Sequence, residues 1–540
     1  MSELINIAST WAKHDPDPNT KNEILQLIST NNINKLLEIF SGDLEFGTAG
    51  LRAEIGPGQS RMNRAVVIRA TFGLCQYLKN KYPNKKPKLV VANDARHLSD
   101  QFAQDVCEVA SAQGLEVYKL PSQIPTPVLA FSVRHLKAEA GVMITASHNP
   151  PLDNGYKVYD EFGAGIIPPM DKEIAKLIKE APFADEIEMQ KNWFDINLIE
   201  EYCDRVSKIV TNKYANIKVA YTPLHGVGQE TFNKCLNKIG FEKSFNVLQQ
   251  TKPDPNFPTV SFPNPEEPGA MDLLLDLAKK ENVDLAIAND PDADRCAIAI
   301  PSENGFLVLS GDEIGFLLTW WLIEKNRNLA KGKIAVSIVS SSLSPKMAKA
   351  NNLQGLTTLT GVKWMGHIEN LIFGYEEAIG YCVDPEFVRD KDGIATAIIL
   401  IELFSYLKSK NLQAKDILAS IYAEFGVHKT KQVSFRFDSV KKAQDITEKL
   451  INQNPKNVGN FQVIKVEDMK NGIDNLPSTS GVRLTLKNAR IIVRPSGTEP
   501  KLKCYLEVFT NPGNVDENLG IAEKQINLLA QAAKELLSSF

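Results

Sequence analysis

The chain has 540 residues, 43% hydrophobic and 23% charged, the composition of a soluble globular protein divided into several domains. A formal net charge of −4 gives no electrostatic footprint for nucleic acid or an anionic membrane, so neither partner is expected. Seven cysteines stand singly (Cys75, Cys107, Cys203, Cys235, Cys296, Cys382, Cys504) without CxxC spacing, the pattern of reduced thiols in a cytoplasmic setting.

The first residues lack a basic region followed by an apolar one, so no secretory signal is expected. The most apolar helical stretches, 314–323 and 394–401, fall short of the roughly 20 residues of a membrane span and are predicted as buried helices.

In chain order, the same sequence of parts recurs three times. The first unit predicts a strand at 88–92 ending in Asn93-Asp94-Ala95-Arg96, then a helix over 101–113 and a strand at 115–120. A proline-rich turn follows at 124–127, and the unit closes on a strand at 142–144. The second predicts a strand at 217–221, a helix, a strand near 246–249 and a strand at 285–288. The third opens at 334–339 with Ser340-Ser341-Ser342 and closes on a strand at 371–373. Strands alternating with amphipathic helices predict βαβ units and largely parallel sheets. From about residue 427 the pattern changes to an alternating strand at 430–437, a helix over 439–453, further strands and a final helix from 515, which predicts an α+β domain with a more antiparallel sheet. The expected boundaries are residues 1–205, 206–315, 316–426 and 427–540: three similar mixed α/β domains plus a C-terminal α+β domain.

Each repeated unit ends on a loop with usable chemistry. In Thr145-Ala-Ser147-His-Asn-Pro150 a hydroxyl stands at the mouth of an apolar strand that Pro150 and Pro151 cannot continue. A lone serine there would equally serve as a turn cap. Asp290-Pro-Asp292-Ala-Asp294-Arg295 places three carboxylates at alternate positions after another strand. Their mutual repulsion favours a hard divalent cation over the alternative of a solvated acidic turn, and a short loop with few ligands suits Mg²⁺. Gly374-Tyr-Glu376-Glu377-Ala378 sets two carboxylates beside glycine at a third strand end, fit to accept hydrogen bonds from sugar hydroxyls or simply to face water.

Arg494-Pro-Ser496-Gly497-Thr498 combines a guanidinium, two hydroxyls and a close-approach glycine, the parts of an anion cradle. Thr360-Gly361-Val-Lys363-Trp364 and Asp153-Asn-Gly-Tyr-Lys157 add cations, as does Arg52 in Phe46-Gly-Thr-Ala-Gly-Leu-Arg52. Serine, metal loop and anion loops together point to phosphoryl transfer. Acyl transfer fits poorly: there is no GxSxG elbow, and His148, adjacent in sequence, is not expected to reach Ser147 as a base.

From about residue 46 to residue 503 the chain resembles the α-D-phosphohexomutase superfamily, specifically its phosphoglucomutase/phosphomannomutase branch. The loops TASHNP, DPDADR, GYEEAIG and RPSGTEPK occur in the family's order, and FGTAGLR and TGVKWMG match the same branch. The resemblance implies four domains around a central cleft and a phosphoserine at Ser147. It implies Mg²⁺ on Asp290, Asp292, Asp294 and the serine phosphate, with Arg52 and Arg295 beside that phosphate. Lys157 and Lys363 match proton carriers or phosphate contacts, and His148 falls within the serine motif. Gly361, Glu376 and position 378 match the sugar-binding side, and Arg494, Ser496, Gly497 and Thr498 the site of the non-transferred phosphate. Many relatives carry serine where this chain has Ala378, so sugar preference does not transfer.

The implied activity interconverts hexose 1-phosphate and hexose 6-phosphate (glucose or mannose). It runs through a phosphoserine and a hexose 1,6-bisphosphate that serves as intermediate and activator. The alternatives are a phosphopentomutase acting on ribose or deoxyribose phosphates, and a hexose 1,6-bisphosphate synthase. The expected partner is a small phosphosugar; oligomeric state is open.

Overall fold

The computed structural model describes residues 2–45, 50–241, 244–325, 331–495 and 501–540. The chain forms two compact units: Met1–Leu309 with Gly380–Tyr406, and Ser310–Ile379 with Leu407–Phe540.

The first unit holds two sheets. In one, the described strands run in the order Leu51–Glu54, Asp153–Asp160, Ala140–Ile144, Lys88–Asn93, Glu116–Lys119, Phe194–Asp195. Its centre is parallel, as the apolar runs predict, because Lys88–Asn93 is covered by helices on both faces and buries all but its first residue. The edge departs from that expectation. Asp153–Asp160 returns antiparallel to Ala140–Ile144, since the short serine loop cannot make a parallel crossover. Lys157 lies in this strand, opposite Met143.

The helix Arg64–Lys81, capped by Asn63, packs on Met170–Lys179 through Gly73, where a Cβ would lie 2.6 Å from the Ile178 side chain. Val67, Leu74, Phe102, Val106, Ile144 and Tyr156 join one continuous core, each full burial contributing roughly 1.5–3 kcal/mol.

The second sheet runs Gly305–Val308, Cys296–Ser302, Leu285–Asn289, Val219–Thr222, Phe245–Asn246, again parallel inside and antiparallel at the hairpin edge. The strand expected near 246–249 is short, because the chain enters a 3-10 turn at Leu248–Gln250. Three helices unforeseen in the sequence, Ser2–His14, Pro18–Ser29 and Ile33–Ile39, form their own cluster around Ala8, Ala12, Ile24, Leu36 and Ile39.

In the second unit Gln354–Thr358, Lys333–Ser337 and Leu371–Glu376 pair in parallel. A separate antiparallel sheet runs His428–Arg436, Lys501–Phe509, Ala489–Pro495, Val482–Leu486, Phe461–Asp468, Asn457–Val458, with the helix Val515–Ser538 packed on it. The apolar stretches expected as buried helices are Gly311–Lys325 and Gly393–Ser409. Among the described residues no helix is long and apolar enough to cross a membrane.

Candidate active site

Ser147 lies in the turn just after the strand Ala140–Ile144 and is 2% exposed. Its φ of 54° is left-handed, and the Thr145 Oγ1 accepts its N–H at 2.8 Å. Arg96 locks the turn by donating to the carbonyls of Ser147 (2.7 Å), Asn149 (2.6 Å), Pro150 (2.7 Å) and Asp153 (3.0 Å). The loop is thus held by one guanidinium that satisfies four backbone acceptors.

The Ser147 hydroxyl donates to Asp290 Oδ2 at 2.9 Å. Asp290, Asp292 and Asp294 follow the strand Leu285–Asn289; all are buried, with one carboxylate oxygen from each lying within 4.8 Å of the others. Two glycines let neighbouring backbone close on this loop. A Cβ on Gly226 would lie 2.3 Å from Pro291 Cα, and one on Gly393 would lie 2.2 Å from the Arg295 carbonyl oxygen.

Lys157 Nζ lies 2.8 Å from Asp292 Oδ2 and 3.3 Å from Asp294 Oδ2, Thr126 Oγ1 donates to Asp292 Oδ2 at 2.7 Å, and Lys391 Nζ lies 3.2 Å from Asp294 Oδ2. Arg295 Nε is 3.9 Å from both Asp290 and Asp294, and Arg52 donates to Asn149 Oδ1 at 2.9 Å.

Electrostatics fit a cation. Burial, then the charges of Asp292 and Asp294, push the Asp290 carboxyl well above the usual carboxylate range. At Asp292 burial pushes upward too, but the charge and hydrogen bond of Lys157, with hydrogen bonds from Thr126 and Asp290, together hold the carboxyl below that range. Asp292 Oδ1 and Asp294 Oδ1 are buried and accept no hydrogen bond, leaving lone pairs that a metal ion would use. The donor set is all oxygen, which suits Mg²⁺.

His148 corrects an expectation. Its Nδ1 lies 3.2 Å from Ser147 Oγ, because the left-handed turn at Ser147 folds the next side chain back. Burial, then Arg295 and Arg52, hold its pKa well below the ordinary value, so the ring is neutral.

The second unit gathers the sugar-side candidates. The Gly361 N–H donates to Glu376 Oε1 at 2.6 Å, and the φ of 115° at Gly361 requires glycine. Arg494 donates to Thr360 Oγ1, and Lys363, 9% exposed, sits in the short helix Val362–Gly366. Ala378 is half-buried and brings no hydroxyl. Ser496, Gly497 and Thr498, like residues 46–49 of the arginine turn, lie outside the described residues.

Glu377 does not merely face water: it accepts from Ser337 Oγ at 3.1 Å and Ser340 Oγ at 2.9 Å. Burial, then Glu376 and Asp312, push its carboxyl up to about 7.

Sequence reasoning missed Arg96, Thr126 and Lys391. The first two stand in segments taken as a strand end and a proline turn. Lys391 lies in Asp390-Lys-Asp-Gly393 just before an apolar helix, a pattern that would have singled it out.

The chain matches the four family models of phosphoglucomutase/phosphomannomutase: domain I over residues 43–185, domain II over 200–303, domain III over 310–425 and the C-terminal domain over 445–516. It belongs to that family of intramolecular phosphotransferases, with its four-domain α/β architecture.

It is 39% identical over 455 residues to a Haemophilus influenzae protein named "Probable phosphomannomutase", covering 83% of this chain and 93% of that one. It is 37% identical over 585 residues to the Homo sapiens phosphopentomutase, covering 97% and 94%. In fold it is similar to the crystal structure of parafusin (phosphoglucomutase) from Paramecium. The TM-score is 0.68 at 20% identity, with 92% of this chain and 96% of that one covered.

Proposed function

We propose that the chain interconverts the 1- and 6-phosphates of a hexose, glucose or mannose, with Ser147 as the phosphoryl carrier. The observation that supports this most directly is the 2.9 Å contact between the Ser147 hydroxyl and Asp290 within the buried carboxylate triad.

In the forward half-reaction the bond from phosphorus to Ser147 Oγ breaks and a bond to the free sugar hydroxyl oxygen forms, the hydroxyl's proton passing to the freed Ser147 oxygen, giving hexose 1,6-bisphosphate. In the return half the other phosphate passes back to Ser147. Asp290, Asp292 and Asp294 would hold Mg²⁺, which supplies positive charge that offsets the phosphoryl oxygens. Arg96 keeps the serine turn in place throughout, and Arg52 and Arg295 bring guanidinium groups toward the transferring phosphate. Lys157, paired with Asp292 and Asp294, and Lys363 stand as proton carriers or phosphate contacts. Glu376 takes the sugar hydroxyls, and Arg494, with Ser496, Gly497 and Thr498, takes the phosphate that stays. Family membership and the absence of a membrane-crossing helix among the described residues support a cytoplasmic metabolic enzyme.

A phosphopentomutase is the second reading. The human relative that carries that name aligns over 97% of this chain, against 83% for the relative named for mannose.

Ser147→Ala tests the carrier. It should abolish turnover with Mg²⁺ and bisphosphate present, and lack the one added phosphate that intact-mass measurement should detect on the native chain. Retained turnover would reject the mechanism. Parallel kcat/KM values for glucose 1-phosphate, mannose 1-phosphate and ribose 1-phosphate decide the sugar, and dominance of the pentose rejects the hexose reading.

A further inference from the structure

The sugar-side residues of the second unit close into a ring. The Glu377 N–H donates to Ser340 Oγ at 2.9 Å while its carboxylate accepts from Ser340 and Ser337. The carbonyl of Glu377 packs on Gly311, where a Cβ would lie 1.8 Å from that oxygen. Because the peptide between Glu376 and Glu377 is planar, holding the Glu377 N–H orients the backbone of Glu376 as well. The Glu376 side chain is held separately by the Gly361 N–H at 2.6 Å.

The serine loop that grips Glu377 is itself gripped from its far side. Arg490 donates to the Ile338 carbonyl at 3.1 Å and to that of Ser340. Glu507 accepts from Ser341 Oγ at 2.8 Å and Ser342 N–H at 2.9 Å, and ion-pairs with Arg490. Ile338 and Val339 are packed among Met469, Ile473, Ile492 and Tyr505.

Arg490 and Arg494 lie on one strand, Ala489–Pro495, at an even spacing that puts them on the same face. Arg494 reaches Thr360, the neighbour of Gly361. The path Arg494–Thr360–Gly361–Glu376–Glu377–Ser340–Arg490 therefore returns to its own strand. The loop so closed alternates hydrogen bonds with covalent backbone, so removing one hydrogen-bonded link frees the others to shift.

We infer that this ring is a length gauge: Glu377 and Ser340 are positioning residues that fix the separation of Glu376 from Arg494 and so discriminate sugar phosphates by chain length. This rests on the proposed roles of Glu376 with sugar hydroxyls and Arg494 with the retained phosphate. On this reading Glu377 and Ser340 act through Glu376 rather than on the sugar itself. Their effect is on the ratio between sugars, not on the chemistry of transfer. A merely structural role would weaken all sugars together.

The test measures calorimetric Kd values for glucose 6-phosphate and ribose 5-phosphate on wild type, Ser340→Ala, Glu377→Ala and Glu377→Gln, with turnover of the corresponding 1-phosphates alongside. The wild type should prefer one sugar. Ser340→Ala and Glu377→Ala should each shrink that preference about tenfold, roughly 1.4 kcal/mol. Glu377→Gln, which keeps a side-chain oxygen for the two serines, should retain it.

A wild-type ratio within about twofold of unity, or a ratio that survives in the alanine variants, overturns the gauge. Should Glu377→Ala not fold, the comparison of Ser340→Ala with Glu377→Gln decides alone. Absence of turnover with both sugars would reject the mutase reading, while the Kd ratio still judges the ring.

Discussion

Lys157 and Asp292 meet at 2.8 Å, a strand residue paired to Met143 reaching into the carboxylate loop that follows a different sheet. The pair is nearly dry, with side-chain exposures of 11% and 0%. Removing one member leaves an uncompensated buried charge, which costs about 3–5 kcal/mol. Lys157→Met should therefore lower the thermal midpoint steeply in chelator. Excess Mg²⁺ should recover part of the loss, because the cation replaces the missing positive charge.

Asp290→Asn should have the opposite profile. Its carboxyl is pushed up by burial and by Asp292 and Asp294, so neutralising it relieves repulsion in the metal-free chain. The wild type should gain stability with Mg²⁺, about 2.7 kcal/mol at a hundred times Kd. Asp290→Asn should melt at or above wild type in chelator and show almost no response to Mg²⁺ in the same thermal series.

Gly393→Ala tests the backbone bracing of the metal loop. The added methyl would meet the carbonyl oxygens of Arg295 at 2.2 Å and Ala293 at 2.7 Å, neither of which is a flexible side-chain end. Overpacking of this kind costs about 1–3 kcal/mol. Chemical denaturation should report that loss, and titration with Mg²⁺ should show weaker binding because the loop shifts to make room.

The pH dependence of stability should carry the signature of Glu377. Its carboxyl moves from an ordinary value near 4.5 in the unfolded chain to about 7 in the folded one. The folded chain then holds the proton more tightly, so this contribution is complete below about pH 4.5 and is lost as pH rises to about 7. Glu377→Gln should flatten that fall in denaturant midpoints taken between pH 4.5 and 8. Asp312, pushed up to about 6, and Asp392, pushed up to about 7, both chiefly by burial, act in the same direction, so Glu377→Gln removes one part of the slope and leaves theirs.

What the sequence made legible were the features carried by neighbours in the chain. Ser147 at a strand mouth, the alternate aspartates and the repeated strand-helix order all sit within a few residues of their own punctuation. Lys391 and Arg96 were not legible in the same way. Lys391 meets Asp294 from nearly a hundred positions away, and Arg96 acts on carbonyls, which any residue type presents. Lys157 was singled out, but its partners were not, because its reach to Asp292 and Asp294 depends on an antiparallel register. His148 was kept with the catalytic residues but not expected to reach Ser147 as a base, because adjacency in sequence normally separates side chains; its Nδ1 nonetheless lies 3.2 Å from Ser147 Oγ beside the left-handed turn.

That turn also bears on which amino acid can serve as carrier. Threonine offers the same hydroxyl, but a β-branched residue at a φ of 54° is a backbone outlier, where serine needs only a modest concession. A methyl group on Cβ would also enter a site that is 2% exposed. The exclusion of threonine is thus conformational before it is chemical: the backbone admits one of two equivalent alcohols.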